Sequence, residues 1–145
     1  MFVSQLLIGA LLICVTVIIH AVLLDYLIGW MRRSRNRARL LLKRHWKVPI
    51  LVMIVLGVFI AHIVEIWVWA MFYIYVDAIP DLEEALYFST TTFTTVGYGD
   101  VFLGKDWRLV SAFQSANGFI LFGWSTAFIF EVMSKLDESD SRDEY

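Results

Sequence analysis

Residues 94–100 read Thr-Thr-Val-Gly-Tyr-Gly-Asp, with Gly97 and Gly99 alternating with Val96 and Tyr98. Glycine takes positive φ without a Cβ clash, so this backbone is free to switch handedness at every second residue. Such alternation turns successive carbonyls to one side, whereas an ordinary strand turns them to opposite sides. Thr95 adds a hydroxyl at one end of the row. A row of carbonyl oxygens lacking donors is costly in hydrocarbon and needs a cation to face. His62 and Glu65, one i+3 step apart, form a second constellation. An acidic group deep in a membrane costs on the order of 3 kcal/mol if charged and lipid-facing, so Glu65 is expected to point into protein. Two roles suit the pair: a satisfied structural contact, with Thr90 to Thr92 as partners, or a proton sensor. His20 and Asp25 fall, by helical rise, roughly 10 Å from the depth of His62, which argues against a shared metal site.

The elements that must position these residues follow from composition and charge. The 145 residues are 59% hydrophobic and 18% charged, with a mean hydropathy of +0.68. Soluble domains sit nearer 45 to 50% apolar and about 25% charged, so this is a membrane composition. A formal net charge of -2 supplies no basic field for nucleic acid. The single Cys14 excludes a disulfide or cysteine-rich metal site within one chain. Eight of the twelve basic residues cluster as Arg32, Arg33, Arg35, Arg37, Arg39, Lys43, Arg44 and Lys47. They divide the chain into transmembrane helices at about 6–24, 50–75 and 109–133, with a basic cytoplasmic linker at 31–48 and an acidic cytoplasmic tail at 134–145. No Lys or Arg precedes the first span, so the positive-inside rule puts the N-terminus outside and the C-terminus in the cytoplasm. The first span lacks the charged flank and cleavage site of a signal peptide and is expected to be retained. Trp30 and Trp46 flank the cluster, while Trp67, Trp69, Tyr73, Tyr75 and Trp107 gather near the outer ends.

Between the second and third spans, Asp81 and Glu84 mark a helix start. A helix from Leu82 to Phe93 would be roughly 18 Å long, half a bilayer. A half-length helix that returns to its own side is re-entrant, and its return strand must be buried in protein or line a wet path. The expected fold is therefore an all-α membrane protein with three transmembrane helices and a re-entrant helix and loop, 81–100, between the second and third.

Thr95-Val96-Gly97-Tyr98-Gly99-Asp100 resembles the signature of the tetrameric potassium channel family, and the resemblance extends over roughly Ile50 to Met133. The first span lies outside that two-span pore unit. The resemblance implies a homotetramer conducting K+ passively through a selectivity filter. It gives Thr95, Val96, Gly97 and Tyr98 the ion-coordinating oxygens and lets Gly99 close the outer turn. Tyr98 would turn its ring away from the axis and onto the pore helix, near Tyr87 and Phe88. Asp100 would stand at the outer mouth, either attracting cations or hydrogen-bonding behind the filter. Many relatives carry an acidic residue where this chain has Thr91, so behaviour tied to that carboxylate is not expected. A weakly selective cation channel and a non-conducting regulatory subunit that keeps the pore fold are the alternatives.

Ser111, Ser115, Gly118, Phe122, Ser125 and Ile129 recur along one face of the third span. Either the small residues allow close helix packing, or the face lines the pore. In the second case Gly118 is the candidate gating hinge, Gly123 its rival, and Phe122 or Ile129 a hydrophobic constriction. The arginines follow the first apolar run instead of lying within it, which disfavours a voltage sensor. The basic stretch either sets topology or binds anionic lipid. The acidic tail is most simply solvated, with a divalent-binding ring as the alternative. No nucleophile-base constellation, Walker motif or zinc spacing appears, so neither enzymatic chemistry nor a cofactor is expected.

Overall fold

The computed structural model describes residues 2–42 and 45–141. They form α1 (Phe2–Leu42), α2 (Lys47–Tyr75), α3 (Leu82–Phe93) and α4 (Arg108–Ser141), with no strand among the described residues. Helices α1, α2 and α4 are long and apolar enough to cross a membrane, and α3 is the half-length helix between the last two.

α1 corrects the expected boundaries. It does not end at Leu24 but continues through Arg32, Arg33, Arg35, Arg37 and Arg39, so most of the segment expected as a linker is helix. Its 41 residues span about 60 Å, twice the hydrocarbon thickness. From Met31 to Val48 the sequence has neither glycine nor proline. Leucine, alanine and arginine are strong helix formers, so the first charges do not stop the helix. Charge alone does not mark where the helix ends. The lipid-binding candidates Lys43 and Arg44 lie outside the described residues. Trp46, beyond the turn, is buried beneath the Arg39 guanidinium, 4.3 Å from its ring centre. α4 likewise runs on into the acidic tail, where Lys47 at the start of α2 donates to Asp137 at 2.8 Å. Arg142, Asp143, Glu144 and Tyr145 lie outside the described residues.

α1 packs against α2 and α4 of its own chain. Gln5 donates to the Asp106 carbonyl, Asn117 donates to Thr16, and Ser125 meets His20. The partners advance together along both sequences, so α1 and α4 run parallel. Two apolar cores result. Leu24, Met31, Ile50, Ile54, Val58, Phe128 and Val132 belong to one, and Trp69, Tyr73, Phe88, Phe93, Val110 and Leu121 to the other.

α3 is seated by polar contacts as well as by its apolar face. The Asp81 carboxylate accepts the Glu84 N–H at 3.0 Å and caps its first turn. Farther along, Tyr73 donates to Gln114, Gln114 to Ser89, and Ser89 to the Ile66 carbonyl, all within 2.7–2.8 Å. This relay ties α3 to α2 on one side and α4 on the other.

The expected pore-lining face of α4 is turned into its own subunit. Ser115 donates to the Thr92 carbonyl, and Phe122 stacks edge-on to Phe93. Ser125 is buried, and Ile129 packs against the core containing Leu24. Ser111 donates only to Arg108 of its own helix. Close packing is the reading these contacts support. Phe119, Ile120 and Phe130 occupy the exposed side instead.

A Cβ on Gly118 would meet the Phe93 carbonyl, whereas one on Gly123 would meet nothing. Backbone cannot give way as a side chain does, so Gly118→Ala should cost about 1–3 kcal/mol. Gly123→Ala should be neutral or slightly stabilising, because alanine is the better helix former. Thermal melting of the two variants in detergent should separate them; equal melting points would refute the assigned contact.

Candidate functional site

The loop after α3 has the backbone anticipated from its glycines. φ is +62° at Thr95, +51° at Gly97 and +77° at Gly99, with Val96 and Tyr98 between them outside the left-handed region. Nothing approaches a Cβ placed on Gly97, so conformation and not crowding calls for glycine there. Thr95 holds the same conformation with a side chain, a strain on the order of 1 kcal/mol.

Donors from the loop run back to α3: Thr95 N–H reaches the Thr92 carbonyl at 3.0 Å and Gly97 N–H the Thr91 carbonyl at 3.1 Å. Among the described residues, no hydrogen bond ends on a carbonyl from Thr95 to Gly99. The loop thus has its turn secured and its oxygens free. All residues from Thr95 to Asp100 are exposed on the single chain. The C-terminal end of α3 lies just beneath them and contributes partial negative charge.

Asp100 sits behind this loop. Tyr87 of α3 donates to its Oδ2 at 2.6 Å. That bond holds the Asp100 carboxyl below the usual carboxylate range. The Tyr98 ring, by contrast, does not pack on its own α3, because the residue is 72% exposed. Phe88 instead meets Tyr73 edge-on, with ring centres 5.3 Å apart.

The His62–Glu65 pair is present but has other partners than expected. His62 Nδ1 lies 2.9 Å from Glu65 Oε2, and His20 Nδ1 lies 2.7 Å from Glu65 Oε1. Ser125 Oγ is 3.0 Å from His62 Nε2 and 3.3 Å from His20 Nε2. Thr90, Thr91 and Thr94 direct their hydroxyls to backbone carbonyls of α3 itself. The depth argument that separated His20 from His62 is overturned, since their rings stack at 5.3 Å. It counted from a helix assumed to end at Leu24, and α1 continues well past that point. His20, His62 and Glu65 thereby also become a group with metal-ligating atoms within 4.8 Å of one another. Asp25 is exposed and takes no part. The signal for His20 was present in the sequence: an imidazole inside an apolar run must find a polar partner.

An ion channel family profile matches residues 58–135, more than half of the chain, and the protein belongs to that family. The match takes in most of α2, all of α3, the loop and most of α4, leaving α1 outside. No curated protein and no solved structure matched. Membership and three apolar helices define a multi-pass, all-α membrane protein of the ion channel class, a class that moves ions without covalent chemistry.

Asp100 yields a pH dependence. With its folded value depressed, the Tyr87 contact is fully supported above the ordinary carboxylate range and is lost as pH falls through the lowered value. Ion flux in liposomes titrated from pH 7 to about 3 should report this loosening as an acid-induced change. Tyr87→Phe should produce the change already at neutral pH and remove its acid dependence. An acid response retained in full by the variant would mean that another group is responsible.

Proposed function

We propose that the protein is a potassium-selective channel, a homotetramer in which residues 95–99 of four chains line one ion path. The observation that carries this reading is the left-handed backbone at alternate residues Thr95, Gly97 and Gly99, with no donor spent on the intervening carbonyls. One chain offers one oxygen per layer, whereas a dehydrated K+ must be surrounded. Fourfold closure supplies the missing oxygens and leaves no open edge. Thr95, Val96, Gly97 and Tyr98 are then the K+ ligands, and Gly99 closes the outer turn. Exposure of Val96 and Tyr98, 54% and 72%, supports closure, because a neighbouring subunit would cover both side chains.

The N-terminus then lies outside and the C-terminus in the cytoplasm, with the channel in the plasma membrane. The cytoplasmic part of α1 would carry Arg32, Arg33, Arg35, Arg37 and Arg39 beside the inner leaflet, where anionic headgroups are available. Gly123, unencumbered by neighbours, is the freer hinge, while Gly118 serves packing.

Purified protein in liposomes with opposed potassium and sodium gradients tests the reading. Potassium-driven flux blocked by barium is the expected result. Equal sodium flux would indicate a weakly selective pore, and no flux a non-conducting subunit. Gly99→Ala places a Cβ at φ +77°, a strain of about 1–2 kcal/mol. That variant should lose selectivity or conduction; unaltered flux would mean that the alternation is not what ions see.

A further inference from the structure

We propose that His20, His62, Glu65 and Ser125 form a buried binding site for one shared proton, and that this proton latches α1 and α4 onto α2. The geometry fixes a hydrogen count. Each imidazole turns Nδ1 to a different oxygen of Glu65 and Nε2 to the same Ser125 hydroxyl. An ionised carboxylate only accepts, so both Nδ1 atoms must then carry hydrogen. Ser125 has one hydrogen to give and can satisfy one bare Nε2. The other Nε2 must therefore carry hydrogen and donate to Ser125 Oγ.

Three hydrogens on four ring nitrogens make one imidazolium and one neutral imidazole. The imidazolium offsets the Glu65 carboxylate and leaves the cluster neutral. Moving one hydrogen onto Glu65 also satisfies every contact, and the total stays at three. With only two hydrogens and an ionised Glu65, the Ser125 oxygen would face two lone pairs while able to fill one. The site is thus complete with one proton more than a carboxylate and two neutral histidines hold.

Its surroundings reinforce the count. His20 and Glu65 are fully buried, and His62 is nearly so. Trp124, Phe93 and Phe122 supply the adjoining rings. Among the described residues, Asp25 of α1, Glu83 and Glu84 of α3 and Glu131 of α4 are exposed and make no hydrogen bond or ion pair with the cluster. On α2, Lys47 is at the far end of the helix. A net charge in such a place is strongly disfavoured. His62 also borders a largely apolar cavity of about 350 Å³ with Phe59, Ile63, Trp67 and Phe122.

The same three side chains lie close enough together for a metal ion to be weighed as the occupant. A divalent ion with one carboxylate, however, would leave net positive charge beside two apolar cores. The proton is the ligand that the charge favours.

Glu65→Gln isolates the claim. A carboxamide donates to one Nδ1 and accepts from the other, so two neutral imidazoles and Ser125 complete the network with two hydrogens. The variant should fold with one proton fewer. Nitrogen-15 spectra of histidine-labelled protein, with carbon-13 spectra of the glutamate carboxyls, count these hydrogens directly in the full chain. The exposed His45 serves as the internal reference. Three hydrogens in the wild type and two in Glu65→Gln are expected at neutral pH. A native state that holds the extra proton loses stability as pH rises, so the wild-type melting temperature should drop on alkalinisation. That of Glu65→Gln should not follow it. Two hydrogens with an ionised carboxyl in the wild type would overturn the proposal. Ring-nitrogen shifts reversed by a chelator, or parallel melting curves for the two proteins, would overturn it equally. None of these readouts depends on ion flux, so the proposal can fail while the conduction reading stands, and the reverse.

Discussion

Peptide oxygens that have no donor, held in a segment that returns through a membrane, constrain the rest of this structure. Hydrocarbon offers nothing to such groups, so their geometry must be imposed from behind. The N–H groups of Thr95 and Gly97 are anchored to the last turn of α3. α3 in turn is held by the relay from Tyr73 through Gln114 and Ser89 to Ile66, and its end rests on α4 where Gly118 makes room for the Phe93 carbonyl. Tyr87 restrains the loop's outer end through Asp100. Polar side chains at these positions in an apolar protein are explained by that requirement. Each spends its hydrogen bond on keeping an unsatisfied backbone in place.

Local chemistry made this part legible in the sequence. Glycine spacing forecast the left-handed positions Gly97 and Gly99, and a capping aspartate with a glutamate three residues on forecast the start of α3. The strain at Thr95 was not legible, because no propensity favours threonine there; the conformation is imposed by its neighbours. Quantities that depend on how helices are set against one another were harder to read. Hydropathy located α1 but not its end, because a charged helix leaving a membrane is still a helix. An error of that kind propagates, and it put His20 at the wrong depth. Periodicity singled out one face of α4, of which Ser115, Gly118, Phe122, Ser125 and Ile129 pack within the subunit. It could not say whether the face meets an axis or a neighbouring helix, since small residues suit both.

The cluster of His20, His62, Glu65 and Ser125 has a consequence for what α1 contributes. The family match begins at Val58 and so includes three of these residues while omitting His20. Without α1, Glu65 Oε1 would lose its partner at 2.7 Å and the carboxyl would be left half satisfied between two apolar cores. An unpaired buried carboxylate is far more costly than an exposed one. The first helix is therefore more than an added membrane anchor. It completes an electrostatic balance within the two-span unit, and Thr16 and Gln5 extend the same polar seam toward Asn117 and the loop before α4.

The cluster at Ser125 lies at the level where motion of α4 would have to begin. Above it, α4 is pinned to α3 through Ser115, Gly118 and Phe122; below it, apolar contacts and the ion pair between Lys47 and Asp137 hold the helix to α2. Apolar surfaces slide with little directional preference, and an exposed ion pair contributes about 1 kcal/mol or less. Hydrogen bonds at Ser125 are directional and buried, so they are the last fixed point before the freer half of the helix. Gly123 falls just before Ser125, with open space around it. A bend there would swing the lower half of α4 while leaving the carbonyl loop and its supports undisturbed. It would also have to part Ser125 from the two imidazoles, so the state of the cluster and the position of the lower helix are set by the same contacts.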